Sequence, residues 1–205
     1  MARDVVLAPG LWMPGAAMAL LAARLARAGY VTHMFTYSGR GPLEGNVTRF
    51  ARFAREAIDA RPAHYIGHSL GGVLTLELLN SHPELPVASA ILLGAPARGS
   101  LAARRLGSAR LGRWMLGECG ELWHEREAVW KRDAPLGVVA GTVPLGLGRA
   151  LGRLPGCNDG VVRVEETAVE GMTARLLVPL GHSLLVVSAT VGRQVECFMR
   201  QGKFE

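Results

Sequence analysis

The chain has 205 residues, 49% of them apolar and 20% charged, which suits a single globular domain with a sizeable core and argues against disorder. The formal net charge of +6 comes almost entirely from arginine, 21 against 2 lysines. These arginines are scattered and no dense basic run interleaves with aromatics, so the composition argues against a nucleic-acid-binding protein.

Read in chain order, apolar β-rich runs alternate with helical patterns. "DVVLA" (4–8) reads as a buried strand and residues 14–28 as a helix with Arg24 and Arg27 near its C-terminus, where the helix dipole favours cations. Residues 5–23 carry no charge, but two prolines and two glycines interrupt them, so strand, loop and helix are expected rather than a signal peptide or membrane anchor. "YVTHMFTY" (30–37) is the next expected strand. Residues 45–60 form an amphipathic helix with Val47, Phe50, Ala54, Ala57 and Ile58 on one face. "AHYIG" (63–67) is a strand, 70–81 a helix, "ASAILLG" (88–94) a strand, "PLGVVAG" (135–141) a strand, "TARLLVPL" (173–180) a strand and 183–200 the last helix. Strands that read as continuous apolar runs and alternate with helices predict a parallel, six-stranded sheet covered on both faces. Alternation lapses over 95–134, which is expected to be a helical insertion between the fourth and fifth strands. Cys119, Cys157 and Cys197 form neither a CxxC pair nor a Cys/His cluster and read as reduced thiols in a cytoplasmic protein, Cys157 as a packing residue. "GLGRALG" (146–152) has the wrong glycine spacing for a dinucleotide loop.

Gly67-His68-Ser69-Leu70-Gly71 fits G-x-S-x-G between an expected strand and an expected helix. A serine on such a turn is held in a strained backbone, and its flanks must be nearly free of side chains. The hydroxyl needs a base, and the base an orienting acid. Of the three histidines after Ser69, His82 ends the helix that follows the serine, His124 falls inside the insertion, and His182 follows the sixth strand directly, at a strand's C-terminal end. Only Asp133 and Asp159 lie between Ser69 and His182 among the aspartates. Asp133 precedes the fifth strand, at the wrong end of the sheet, so Asp159 in "GCNDGVV" is the expected acid, with Glu165 and Glu166 in reserve. An oxyanion hole would draw one amide from Leu70 and another from the loop after the first strand, at Leu11 or Trp12.

Taken together, "GHSLGG", "LAPGLW", "LLGAPARGS", "NDGVV" and "GHS", in this order over about residues 4–200, resemble the α/β-hydrolase superfamily, and within it the small bacterial lipases and esterases. One departure is Pro9-Gly10 where relatives usually carry His-Gly. The resemblance implies acyl transfer to water without metal or cofactor, on small-molecule or lipid esters, with Ser69 as nucleophile, His182 as base and Asp159 as its orienter. An acyl thioesterase on the same residues, or a non-catalytic protein of the same fold, are the competing expectations. The insertion falls where members of that superfamily often carry a cap: its Leu111, Trp114, Met115 and Leu122, together with Trp12 and His68, would line the substrate pocket, or the insertion residues would simply pack it onto the sheet, and weak contact with a lipid surface is a further expectation.

Overall fold

The structure is a computed structural model and describes residues 2–11, 16–39, 41–145 and 153–205. Trp12 and the 146–152 run lie outside the described residues. The elements are β1 (Asp4–Ala8), α1 (Ala16–Arg27), β2 (Val31–Met34), α2 (Leu43–Ile58), β3 (Ala63–His68), α3 (Leu70–Ser81), β4 (Val87–Leu93), α4 (Leu101–Gly107), α5 (Arg110–Leu116), β5 (Leu136–Gly141), β6 (Ala174–Val178) and α6 (Ala189–Gln201). All six strands join one parallel sheet in the order β2-β1-β3-β4-β5-β6.

The sheet explains why its strands read as unbroken apolar runs. Successive side chains point to opposite faces, and both faces are covered. On one face Val6, Tyr65, Leu92 and Val138 pack under Phe50 and Ile58 of α2 and Leu74 and Leu78 of α3. On the other, Val5, Leu7, Ile66, Ile91 and Val139 pack under Met18 and Leu21 of α1 and Val195 and Phe198 of α6. Strand order reverses at β1, so the chain leaving β1 and the chain leaving β3 turn to opposite faces. That opens a crevice at the C-terminal rim between them, the usual ligand position in open α/β sheets.

Three expectations are corrected. β2 pairs only through Met34, because Phe35 turns inward to stack on Phe50 at 4.2 Å and Tyr37 donates its hydroxyl to the Pro9 carbonyl. The last helix begins at Ala189 rather than 183, since His182–Leu184 form a 3-10 turn and the Ser188 hydroxyl caps the true start by accepting from Val191 N. Cys157 is exposed, not packed, on a turn that Gly156 shapes at φ +72°.

Between β4 and β5 the chain carries α4, α5 and a 3-10 turn at Gly120–Trp123. Leu116, Cys119, Leu122 and Trp123 from this stretch close over Leu70 and Val73 at the start of α3, with Leu11 packed alongside. Cys119 also donates its thiol to the Gly41 carbonyl at 3.1 Å. The segment is therefore seated beside the G-x-S-x-G turn.

At the other end of β3, His64 is buried at 4% exposure and its Nδ1 shares a 2.7 Å hydrogen bond with Ser89 Oγ. Burial lowers its pKa from 6.5 to about 4, against a smaller raising effect from the Ala2 backbone. Between those values the unfolded chain takes up a proton that the native site refuses, so stability is complete above about pH 6.5 and falls as the pH drops. The slope is at most about 1.4 kcal/mol per pH unit, or about 2 kcal/mol by pH 5. Urea denaturation at pH 7 and pH 5 is expected to show this loss, reduced by that amount in His64→Gln; an equal loss in both proteins would remove His64 as its source.

Candidate active site

The turn from β3 into α3 places one accessible side chain between two buried ones. His68 and Leu70 are buried, while Ser69 is half-exposed at φ 53°, ψ −124°. Asp59, Ala60 and Ser69 are the non-glycine residues at positive φ among the described residues, a conformation that costs of order 1–3 kcal/mol and persists only where packing imposes it. Here the Ser69 amide donates to the Leu93 carbonyl, continuing the β4 ladder, while its carbonyl already accepts from Gly72 and Val73 as the first turn of α3. The residue thus belongs to strand and helix at once.

The glycines make that junction possible. A Cβ on Gly67 would lie 2.4 Å from Gly72 Cα, and one on Gly71 would lie 2.2 Å from the Ala8 carbonyl oxygen and 2.3 Å from that of Pro9. Gly71→Ala is expected to cost about 1–3 kcal/mol, the usual penalty of overpacking, as the β1 loop is pushed off the serine. Denaturant melts check this, and a fully stable variant would show that the close approach is dispensable.

The loop after β1 crosses directly over the serine. A Cβ on Gly10 would sit 2.9 Å from Ser69 Cβ and 2.9 Å from His68 Nδ1, and the Tyr37–Pro9 bond of 2.8 Å pins the loop. Leu11 follows, its side chain packed near Leu70 and against Gly39, where a Cβ would lie 2.4 Å from Leu11 Cδ1. The first amides of any helix lack partners within it, and those of α3 begin at Leu70.

Asp159 and His182 meet on the same rim. Asp159 is 1% exposed. Its Oδ1 accepts from Val161 N at 2.9 Å and Val162 N at 2.7 Å, and its Oδ2 accepts from His182 Nδ1 at 2.7 Å. The Asn158 side chain organises the same turn, accepting from Gly160 N and donating to the Gly156 carbonyl. The Asn-Asp-Gly sequence is therefore a turn whose geometry aims the carboxylate at the imidazole. A backbone bond of 2.9 Å from His182 N to Asp159 O joins the two loops a second time. Gly94, at the end of β4, lies flat beneath the pair: a Cβ there would approach His182 Nδ1 to 3.1 Å and Asp159 Oδ2 to 3.2 Å.

His68 occupies a position that its place in the motif did not convey. Expected to line a pocket, it is 1% exposed, donates from Nε2 to the His182 carbonyl at 3.2 Å, and stacks at a tilt on the His182 ring with centroids 4.7 Å apart. Burial first, and the neighbouring His182 second, hold its pKa well below the usual 6.5, so a neutral ring supports the His182 loop.

The reserve acids are engaged elsewhere. Glu166 is 4% exposed and accepts from Leu101 N, Arg163 N and Arg163 Nε, tying the start of α4 to the 3-10 turn at Val164–Thr167. Glu165 is exposed and paired with Arg163. Asp133 precedes β5, at the N-terminal end of the strands and away from the rim that carries Ser69 and His182, and His124 is exposed. On α5, Leu111 and Trp114 face outward at 67% and 62% exposure, while Met115 is half-buried. Of the residues expected to line a pocket or pack the insertion, Leu122 points inward, joined by Leu116.

A family profile for the alpha/beta hydrolase family matches residues 5–186, and the chain belongs to that family. Among solved structures it is similar to the Bacillus licheniformis lipase BlEst2 in its mature form, with a TM-score of 0.77 at 18% identity, over 99% of this chain and 93% of that one. The metagenomic carboxyl esterase MGS0156 superposes with a TM-score of 0.65 at 17% identity over 88% of this chain and 64% of that one. The RedJ thioesterase of the prodiginine biosynthetic pathway in Streptomyces coelicolor does so with a TM-score of 0.61 at 16% identity, over 97% and 85%. At such identities the likeness is one of fold. Among the described residues, no helix is long and apolar enough to cross a membrane.

Proposed function

We propose that the protein is a serine hydrolase that cleaves carboxylic esters of small or lipid-like substrates through Ser69, His182 and Asp159. The observation that carries this is the 2.7 Å bond between Asp159 Oδ2 and His182 Nδ1, made on the same rim as a strained, solvent-reached serine at a strand-to-helix turn. With Nδ1–H committed to the carboxylate, Nε2 carries the lone pair and is the nitrogen left to act as base.

In the first step Ser69 Oγ forms a bond to the ester carbonyl carbon as its proton passes to His182 Nε2 and the carbonyl π pair moves onto oxygen. The amides of Leu70 and Leu11 would stabilise that oxyanion. Collapse breaks the carbon–oxygen bond to the alcohol, which leaves with the proton from His182. Water then attacks the acyl-serine, again giving its proton to His182, and the acid departs as Ser69 recovers its own. Asp159 stays ionised throughout and stabilises the transient imidazolium. The neutral His68 ring beside it adds no opposing charge.

A fluorophosphonate probe tests the assignment: one covalent adduct on Ser69, accompanied by turnover of p-nitrophenyl esters, is the expected result. No adduct would leave a protein with the fold and without the chemistry. Thioester turnover far above ester turnover across matched chain lengths would move the substrate class to acyl thioesters on the same residues.

A further inference from the structure

A cavity of about 910 Å³ opens beside the acid loop, lined by Arg105, Pro144, Arg153, Leu154, Asn158 and Gly160 among others. Its size is that of a small-molecule site. Two of its lining residues, Asn158 and Gly160, are the chain neighbours of Asp159, so the cavity adjoins the loop that orients His182. Arg105 and Arg153 are its charged lining residues among those described, and no acidic residue is among them.

The arginines of the protein divide into those that are ion-paired and those that are not. Arg55, Arg61, Arg104, Arg126, Arg163 and Arg200 each lie within ion-pair distance of a carboxylate. Neither Arg105 nor Arg153 does, among the described residues. Arg105 donates one Nη1 hydrogen to the Arg153 carbonyl at 3.2 Å, which anchors the guanidinium at the cavity wall, and its other donors have no partner among the described residues. The Asp159 carboxylate is 1% exposed with both oxygens already hydrogen-bonded, so it offers these cations no partner. The remaining described wall includes the apolar side chains of Pro144, Leu154 and Pro155 beside Gly156 and Gly160, and the Asn158 amide is spent on its own turn. Two guanidiniums without an ion-pair partner among the described residues, on a cavity wall of mixed polar and apolar character beside the acid loop, suit an organic molecule that ends in an oxyanion.

We propose that this cavity is a subsite for an anionic group of the substrate, so that the esters cleaved carry a phosphate or carboxylate held by Arg105 and Arg153. This rests on the serine-hydrolase reading and deepens it: an anionic ester is bound by the two arginines, and a neutral ester of the same acyl group gains no such bond.

Two matched pairs test it and separate the sources of charge. One is 1-butyrylglycerol 3-phosphate against 1-butyrylglycerol, with phosphate on the alcohol side. The other is p-nitrophenyl hemiglutarate against p-nitrophenyl butyrate, with carboxylate on the acyl side. At low salt the anionic member of one pair is expected to have the higher kcat/KM by about 10- to 100-fold, the usual worth of hydrogen bonds to a charged group. The anionic-to-neutral ratio should fall by about that factor in R105Q/R153Q, be partly restored in R105K/R153K, and shrink as salt rises to about 0.5 M. Equal turnover within both pairs, or a preference that survives R105Q/R153Q, would overturn the subsite. Calorimetric binding of 1-butyrylglycerol 3-phosphate and of glutarate to S69A, with and without the arginine changes, reads the subsite without any turnover. An enzyme that fails to cleave every ester while S69A binds an anion through these arginines would refute the hydrolase assignment alone; absence of binding in S69A together with no anionic preference would refute the subsite alone.

Discussion

Ser69→Ala is expected to abolish ester turnover, with kcat falling by about 10⁶-fold, as removal of the nucleophile does in serine hydrolases. No other nucleophile stands at the turn: the neighbours of Ser69 are the buried His68 and Leu70, and Cys157 lies exposed on a different loop. The protein should also become slightly more stable or stay unchanged. Among the described residues the hydroxyl makes no helix-capping hydrogen bond, and the φ of 53° is imposed by the β4 ladder and the α3 start, both of which the substitution leaves in place. Loss of rate with an unaltered melting curve separates a chemical role from a structural one. Wild-type rates in S69A, measured after excluding contaminating esterase, would end the mechanism.

Asp159→Asn is the second large effect, about 10⁴-fold in kcat. The residue has two jobs, and asparagine keeps only one. Its side-chain oxygen can still accept from Val161 N and Val162 N, so the turn should survive. The other end now presents an NH₂ to His182 Nδ1, which reverses the donor. The imidazole then protonates at Nε2 and cannot take the serine proton. A native-like melt with activity near background is therefore expected, and Asp159→Ala should lose stability as well because the turn loses its acceptor. Near-normal turnover in D159N would require another carboxylate at His182. Glu166 is already committed to Leu101 and Arg163, and Glu165 to Arg163, so that outcome would contradict the loop geometry itself.

The acid-stability slope and the close-packing test probe different parts of the chain. His64 sits at the N-terminal end of β3 and reports burial alone, while Gly71 sits in the first turn of α3 and reports the tolerance of the serine turn. Acid loss should therefore be read as a fold property near His64, with His68 pushing in the same direction from the other end of the strand.

Sequence periodicity carried the architecture because it is local. Apolar runs of four to seven residues, most of them followed by a helical pattern, leave a doubly covered parallel sheet as the way to bury both strand faces. The helix at 70–81 was legible to the residue, since Gly67, Gly71 and Gly72 announce a tight strand-to-helix junction. Boundaries were lost where the deciding contact is distant: β2 ends at Met34 because Phe35 and Tyr37 are recruited by α2 and Pro9, and α6 waits for Ser188 because His182 is held by Asp159.

Residue types and their order along the chain were enough to nominate Ser69, Asp159 and His182, since a nucleophile, an acid and a base each leave a local signature at the end of a strand. What depended on the folded chain was contact. The sheet brings Asp159 to 2.7 Å from His182, removes Glu166 to α4, buries His68 under the His182 ring, turns Trp114 to solvent and sets Arg105 against Arg153. Each of these is a meeting of loops that are neighbours only once parallel strands have aligned their ends. No periodicity within one segment records which side chain of another will lie against it.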